Sequence, residues 1–498
     1  MLIDRLHRSL RLLSPLPKIT ASSSYHWWVY AAVSVATFIT VAEQTATSMV
    51  VPRIAEEFSV DIPTSQWLAI GYMLCVSALM LPAGALANTL GKRNVWVIGL
   101  AIFILAALLT SIADNFMTVL VGKLLMAVGA SAVQANGMAM VVAAFPDSVR
   151  GKAFGFHMTM VGLGAIGGPV LGGGIDSLLG WRAIFLVVAI VCVVATIAAL
   201  LVFEKEVYRK GQLKKFDWSG VALSAAFLLS FMLSITYANE LGWLSPMVIL
   251  GGVFSILLLF GFLIWERQCE SPMLPLHLFK SAIFSIGSAA RFVSFMAGSA
   301  SFFLLPFFLV SGVGMATAEA AIYILPGSIC MAIFGPISGS ISDRVGTKKP
   351  AIAGMILSTI SMYLLTRVSL DSSYYIIAIA SGMSGTGMSI FMAPNTSSIM
   401  WSAGRHHYGI VSAFMNLTRN GAHVVGIAIP TAIVVTVMGS LGYEADLSSL
   451  AVTDDYGLRS AYASAMSWAF TVSTVSMFAA LVLTIVMPSV QHNVQEES

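Results

Sequence analysis

Fourteen stretches of this chain are each long enough to cross a bilayer and carry almost no charge. A helix needs about 20 apolar residues to span the hydrocarbon. The runs fall at approximately 27–51, 64–87, 95–113, 116–144, 152–178, 182–203, 217–238, 246–265, 282–310, 316–341, 350–368, 373–402, 408–438 and 463–487. Backbone groups in lipid must bond within their own segment, so runs of this length are helices. Only 10% of the 498 residues are charged, against roughly a quarter in soluble domains. The segments between runs are short and leave no room for a soluble lobe. The fold class is therefore an all-α polytopic membrane protein, with the lipid bilayer as its principal partner.

Loop charge supports this count. Taking alternate segments from the N-terminus, nineteen of the 26 Lys and Arg residues fall on one side. Arg53, Arg182, Arg367 and Arg459 fall on the other, and Lys123, Arg291 and Arg419 lie within runs. The excess predicts a multi-pass protein of the cytoplasmic (inner) membrane with both termini cytoplasmic. Residues 1–26 carry Arg5, Arg8, Arg11 and Lys18, and the apolar run behind them is too long for a cleavable signal. It reads as a retained first span.

Two cytoplasmic turns repeat one pattern. Gly84-Ala-Leu-Ala-Asn88-Thr-Leu-Gly91-Lys92-Arg93 follows the second run, and Gly339-Ser-Ile-Ser-Asp343-Arg344-Val-Gly346-Thr-Lys348-Lys349 follows the tenth. Glycines seven apart let two helices and a tight turn approach closely. A carboxylate or amide between them caps a helix end, and the basic residues anchor the turn. The repeat places the halves in parallel if runs seven and eight are an inserted hairpin. Boundaries follow: an N-terminal segment (1–26), a six-helix domain (27–203), a basic linker (204–216), a two-helix hairpin (217–265), a second linker (266–281), a second six-helix domain (282–487) and a tail (488–498). A third signature is Gly164-x-x-x-Gly168-Pro169-x-x-Gly172-Gly173 in the fifth run, where glycines permit close helix contact.

The repeated turns resemble the G-x-L-x-D-R-x-G-R-K motif of the major facilitator superfamily. The glycine-proline motif and the fourteen runs resemble its drug:proton antiporter subfamily, and the likeness extends to Trp181-Arg182 and to Asn416…Arg419-Asn420-Gly421. The resemblance implies a major facilitator fold with fourteen transmembrane helices in a 6+2+6 arrangement. It also implies secondary active export of small amphipathic compounds, such as drugs, biocides and dyes, in exchange for protons. Three positions depart from the family pattern. Asn88 stands for aspartate, where it still caps but forms no ion pair. Glu43 stands for aspartate in the first span. Lys123 stands for the arginine of R-x-x-Q-G-x-G, whose glutamine and first glycine are Met126 and Ala127 here.

Ionisable groups within spans are functional candidates. Glu43 and Lys123 lie about 12 and 10 Å from the outer ends of their helices, so a pair between them is feasible. It reads as a proton-coupling site, with a structural ion pair as the competing reading. Arg291, Arg419, Asn395 and Gln134 are candidates for a substrate cavity. The arginines would bind a substrate carboxylate or phosphate, or satisfy helix-end carbonyls, which for Arg419 is the favoured reading. His157 and His423 read as packed histidines, and Pro326 and Pro394 as kink sites.

The chain has no phosphate loop, metal cluster or catalytic constellation, so it reads as neither an ATPase nor an enzyme. The expected coupling ion is the proton, with no cofactor, no nucleic-acid partner and a monomeric state. The basic interior keeps a specific metabolite, lipid or lipophilic anion open as cargo. A non-transporting sensor or partner subunit is the alternative of a different class.

Overall fold

The computed structural model describes residues 22, 24–146, 149–204, 216–315, 317–370, 372–404, 407–443 and 456–489. The N-terminal segment up to 21, most of the basic linker, residues 444–455 and the end of the tail lie outside the described residues.

Fourteen long helices account for nearly all of the described chain. They are α1 (Tyr25–Glu57), α2 (Ile62–Leu90), α3 (Lys92–Ser111), α4 (Phe116–Ala144), α5 (Arg150–Leu179), α6 (Trp181–Val202), α7 (Trp218–Leu241) and α8 (Pro246–Gln268). After a short 3-10 turn come α9 (Ala282–Phe307), α10 (Thr317–Val345), α11 (Lys348–Leu365), α12 (Tyr375–Ala403), α13 (Tyr408–Ser440) and α14 (Tyr456–Val486). Thirteen are both long and apolar enough to cross a membrane. The fourteenth, α11, has 18 residues and opens on Lys348 and Lys349.

The helices run past the apolar stretches where polar ends have partners. α1 continues through Pro52 to Glu57 because Arg53 pairs with Asp176 of α5 at 2.7 Å. Glu57 itself accepts from Arg182 at 2.6 Å and from the Trp181 indole at 2.7 Å. Arg182 also donates to the Ala113 carbonyl at 2.7 Å. These contacts tie α1, α5, α6 and the end of α3 into one corner. Hydropathy alone places the start of α14 seven residues late, because Arg459 lies in its first turn.

α1–α6 pack chiefly on one another, as do α9–α14, and a hydrophobic core lies in each bundle. α7 and α8 pair with each other, and α7 leans on α2 and α13. The hairpin is pinned by polar contacts at its ends. Asp217 accepts from the Gly220 amide at 2.8 Å and the Trp265 indole at 2.7 Å. This is the 6+2+6 plan. The bundles meet along two seams, α5 against α10 and α12, and α13 against α2 and α4. Both glycine turns follow even-numbered spans and so share one face, called here the turn face.

The seams are built on glycine. A Cβ on Gly155 would strike the backbone of Gly335 and Pro336, and one on Gly339 would strike the backbone of Gly151. Gly84 lies against Gly409 and Ala413 in the same way. The i, i+4 spacing of Gly151 and Gly155, and of Gly335 and Gly339, is the small-residue pattern that lets helices approach in lipid.

Candidate functional site

Glu43 and Lys123 meet. The Lys123 ammonium donates to Glu43 Oε1 at 2.5 Å, and both side chains are sealed from solvent. Thr47, one turn along α1, completes a triangle. It donates to Glu43 Oε1 at 2.8 Å and accepts from Lys123 at 3.1 Å. The ammonium also sits 4.3 Å from the centre of the Tyr72 ring on α2, with Phe185 of α6 beyond at 5.9 Å. A buried ion pair holds only if its remaining protons and lone pairs find partners. Lys123 meets this condition with two acceptors and an aromatic face. Glu43 meets it on one side only, because Oε2 is buried without a hydrogen-bond partner. Sequence spacing anticipates the pair but not Thr47 or Tyr72, which carry no distinguishing motif.

The glycine-proline motif belongs to this same site. Gly164, Gly168 and Gly172 lie on one face of α5, against α1. Their added Cβ atoms would meet Phe38 and Val41, then Ala42 and Thr45, then Ala46. Those α1 residues bracket Glu43. The motif therefore sets the α1–α5 distance inside one bundle and not the distance between bundles. The seam between bundles on α5 lies about two and a half to three and a half turns earlier, at Gly155 and Gly151. Gly173 meets nothing within 4 Å, so it contributes no packing to the motif. Pro169 lies within α5.

The two turn motifs differ more than their sequences suggest. Gly91 and Gly346 both adopt positive φ, 90° and 84°, the backbone region that favours glycine at a tight turn. Asp343 reaches across the seam to the start of α5. Its carboxylate accepts from the Gly151 amide at 2.8 Å and the Lys152 amide at 3.0 Å. An anion at a helix N-terminus satisfies orphan donors and complements the helix dipole. Asn88, expected to cap, is exposed and makes no hydrogen bond. A neutral amide gains less from the α13 dipole than a carboxylate, so the second seam lacks this latch. Arg93 turns inward instead, donating to the Leu200 carbonyl at 3.1 Å. Arg344 stays exposed, and Lys92 and Lys348 open α3 and α11.

Replacing Asp343 with Asn should weaken closure of the turn face by about 1 kcal/mol, a severalfold shift in population. Spin labels at Glu204 and Lys349, exposed turn-face positions of the two bundles, should report a longer mean distance. An unchanged distance would remove the latch role.

A polar layer lies about 10–20 Å from the turn face. Asn416 donates to the Gln134 carbonyl at 3.0 Å and Asn420 to Ser77 at 3.3 Å, joining α13 to α4 and α2. Thr159 donates to the Ala332 carbonyl at 2.9 Å, joining α5 to α10. All the hydrogen bonds between bundles among the described residues lie in this half of the structure. Arg291, a cavity candidate, proves fully buried. It donates to Thr396 at 3.0 Å and to the Met415 carbonyl at 3.4 Å, and lies 5.2 Å from the Phe295 ring. It braces α9, α12 and α13 rather than facing open space. Asn395 is likewise buried, donating to the Gly287 carbonyl at 3.1 Å. Gln134 is half-buried, with its amide nitrogen unpartnered. Arg419 is half-buried too, and no acceptor meets it.

A family model described as the Major Facilitator Superfamily matches residues 33–427. The chain belongs to that superfamily. Among its major facilitator relatives is the uncharacterized transporter YhcA of Bacillus subtilis, 32% identical over 72% of this chain and 67% of that protein. The riboflavin transporter RibZ of Clostridioides difficile is 29% identical over 81% and 87% of the two chains. The methylenomycin A resistance protein of Bacillus subtilis is 26% identical over 76% and 80%. The solved structure of XylE, a major facilitator proton:xylose symporter, superposes with TM-score 0.62 at 12% identity, over 94% of this chain and 97% of that one. The major facilitator fold and a transport role, not catalysis, follow.

Proposed function

We propose that this transporter is a proton-coupled antiporter that exports small amphipathic compounds across the cytoplasmic membrane, with both termini inside. The observation that carries the coupling is the half-satisfied Glu43. One carboxylate oxygen is held by Lys123 and Thr47, and the other has no partner. A proton arriving on Oε2 would neutralise Glu43 and leave Lys123 as an unbalanced buried cation. Such an imbalance is costly in a low-dielectric interior. It gives the N-terminal bundle a reason to rearrange on each protonation, which is what coupling to a proton gradient requires. The resistance protein among the relatives supports export of small compounds, and the loop charge supports the cytoplasmic termini.

The test is transport in proteoliposomes under an imposed pH gradient, using amphipathic fluorophores of positive, neutral and negative charge. At least one should accumulate against its own gradient, and collapsing the pH difference should stop it. Accumulation indifferent to the gradient would remove proton coupling, and no accumulation of any fluorophore would remove export.

A further inference from the structure

Glu43 is the one carboxylate well inside a span among the described residues, and Lys123 already holds it. The space between the bundles therefore has no anionic group of its own to offer. It does have a cation. Arg419, about 16 Å along α13 from the turn face, meets no hydrogen-bond acceptor and no carboxylate. Arg419 lies between Asn416 and Asn420, which bond α4 and α2 of the opposite bundle, so its stretch of α13 borders the seam between the bundles.

Two unpartnered donors belong to residues tied to the same stretch of α13. Arg291 bonds the Met415 carbonyl and keeps Nη2 unpartnered, and Gln134 accepts from Asn416 through its carbonyl and keeps its amide nitrogen unpartnered. His423 Nδ1 is engaged with the Ser299 hydroxyl at 2.6 Å. Asn416 and Asn420 spend their amide protons on the opposite bundle. A half-buried guanidinium with no counter-ion is unfavourable, and a planar oxyanion is its natural complement.

We propose that Arg419 anchors the cargo site, and that the cargo is a small amphipathic acid whose carboxylate or comparable oxyanion pairs with that guanidinium. The inference rests on the export reading for the word cargo, but not for the binding itself. The apolar body of such a molecule lies toward Phe295 and the neighbouring methionine and aliphatic walls. Glu43 stays outside this exchange, because its partner is on its own bundle. Cargo charge and proton load are thus carried at separate places.

Binding to the purified transporter in phosphatidylcholine vesicles, read by tryptophan fluorescence, tests this without any gradient. The probes are 2-naphthylacetate, 2-naphthylacetamide and 2-(2-naphthyl)ethylammonium, which share one ring system and differ in charge. The acid should bind about tenfold or more tightly than the ammonium, the worth of one charge-assisted pair. Arg419→Gln should remove that preference while the thermal unfolding midpoint stays near that of the parent, which reports an intact fold. Arg419→Lys should keep most of it. Ammonium binding as tight as the acid, an unchanged preference in Arg419→Gln, or no binding of the acid at all would each overturn the site. Selective binding of the acid without gradient-driven transport would sink the export reading and leave the Arg419 site standing.

Discussion

Glu43→Gln is expected to abolish transport driven by a pH gradient. The substitution keeps the shape of the side chain and its Oε1 acceptor, so Lys123 and Thr47 retain a hydrogen-bond partner. What it removes is the charge and the ability to take up a proton. Lys123 is then a buried cation without an anion, and breaking one side of a buried pair costs about 3–5 kcal/mol. Thermal unfolding of the single variant should therefore fall as well, which leaves two explanations for lost transport. The double variant Glu43→Gln, Lys123→Met separates them. Removing both charges is neutral or stabilising by about 1–4 kcal/mol, so its thermal stability should recover toward that of the parent. Its coupling should not recover. If the double variant transports with its pH dependence intact, the pair is only a strut and the proton is carried elsewhere.

The fold was legible in the sequence because the bilayer imposes a one-dimensional rule. Length and apolarity define each span, and the sidedness of Lys and Arg orders them, so α4 is predicted at 116–144 and observed at Phe116–Ala144. The rule weakens where charged helix ends leave the hydrocarbon, as at Arg53 and Arg459. Depth from a helix end was enough to bring Glu43 and Lys123 to the same level. It could not reveal direction around the helix axis. Arg291 and Arg419 have similar depth, yet one is a fully buried brace and the other has no partner. The same limit explains Asn88. Its spacing matches Asp343, but whether a side chain reaches the helix across the seam depends on the positions of two bundles, which spacing does not encode.

The other large effect belongs to Gly168. Its Cβ position is occupied by the Thr45 hydroxyl and the Ala42 carbonyl of α1, and backbone cannot move aside as a flexible side chain would. Gly168→Ala must therefore push α1 away from α5, and overpacking of this kind costs about 1–3 kcal/mol. Gly168→Leu and Gly164→Leu should cost more. The displacement matters because Ala42 and Thr45 flank Glu43 on the same helix. An α1 that moves outward lengthens the contact between Glu43 on α1 and Lys123 on α4, which is short only because both helices are held. Transport should be lost in both leucine variants while expression and membrane insertion persist, since leucine is at least as favourable to insertion as glycine. Gly173→Ala provides the contrast. Nothing lies within 4 Å of its Cβ position, so transport and thermal stability should stay near those of the parent. Normal transport by Gly168→Leu, or equal damage from Gly173→Ala, would show that the close α1–α5 approach does not set the geometry of the coupling pair.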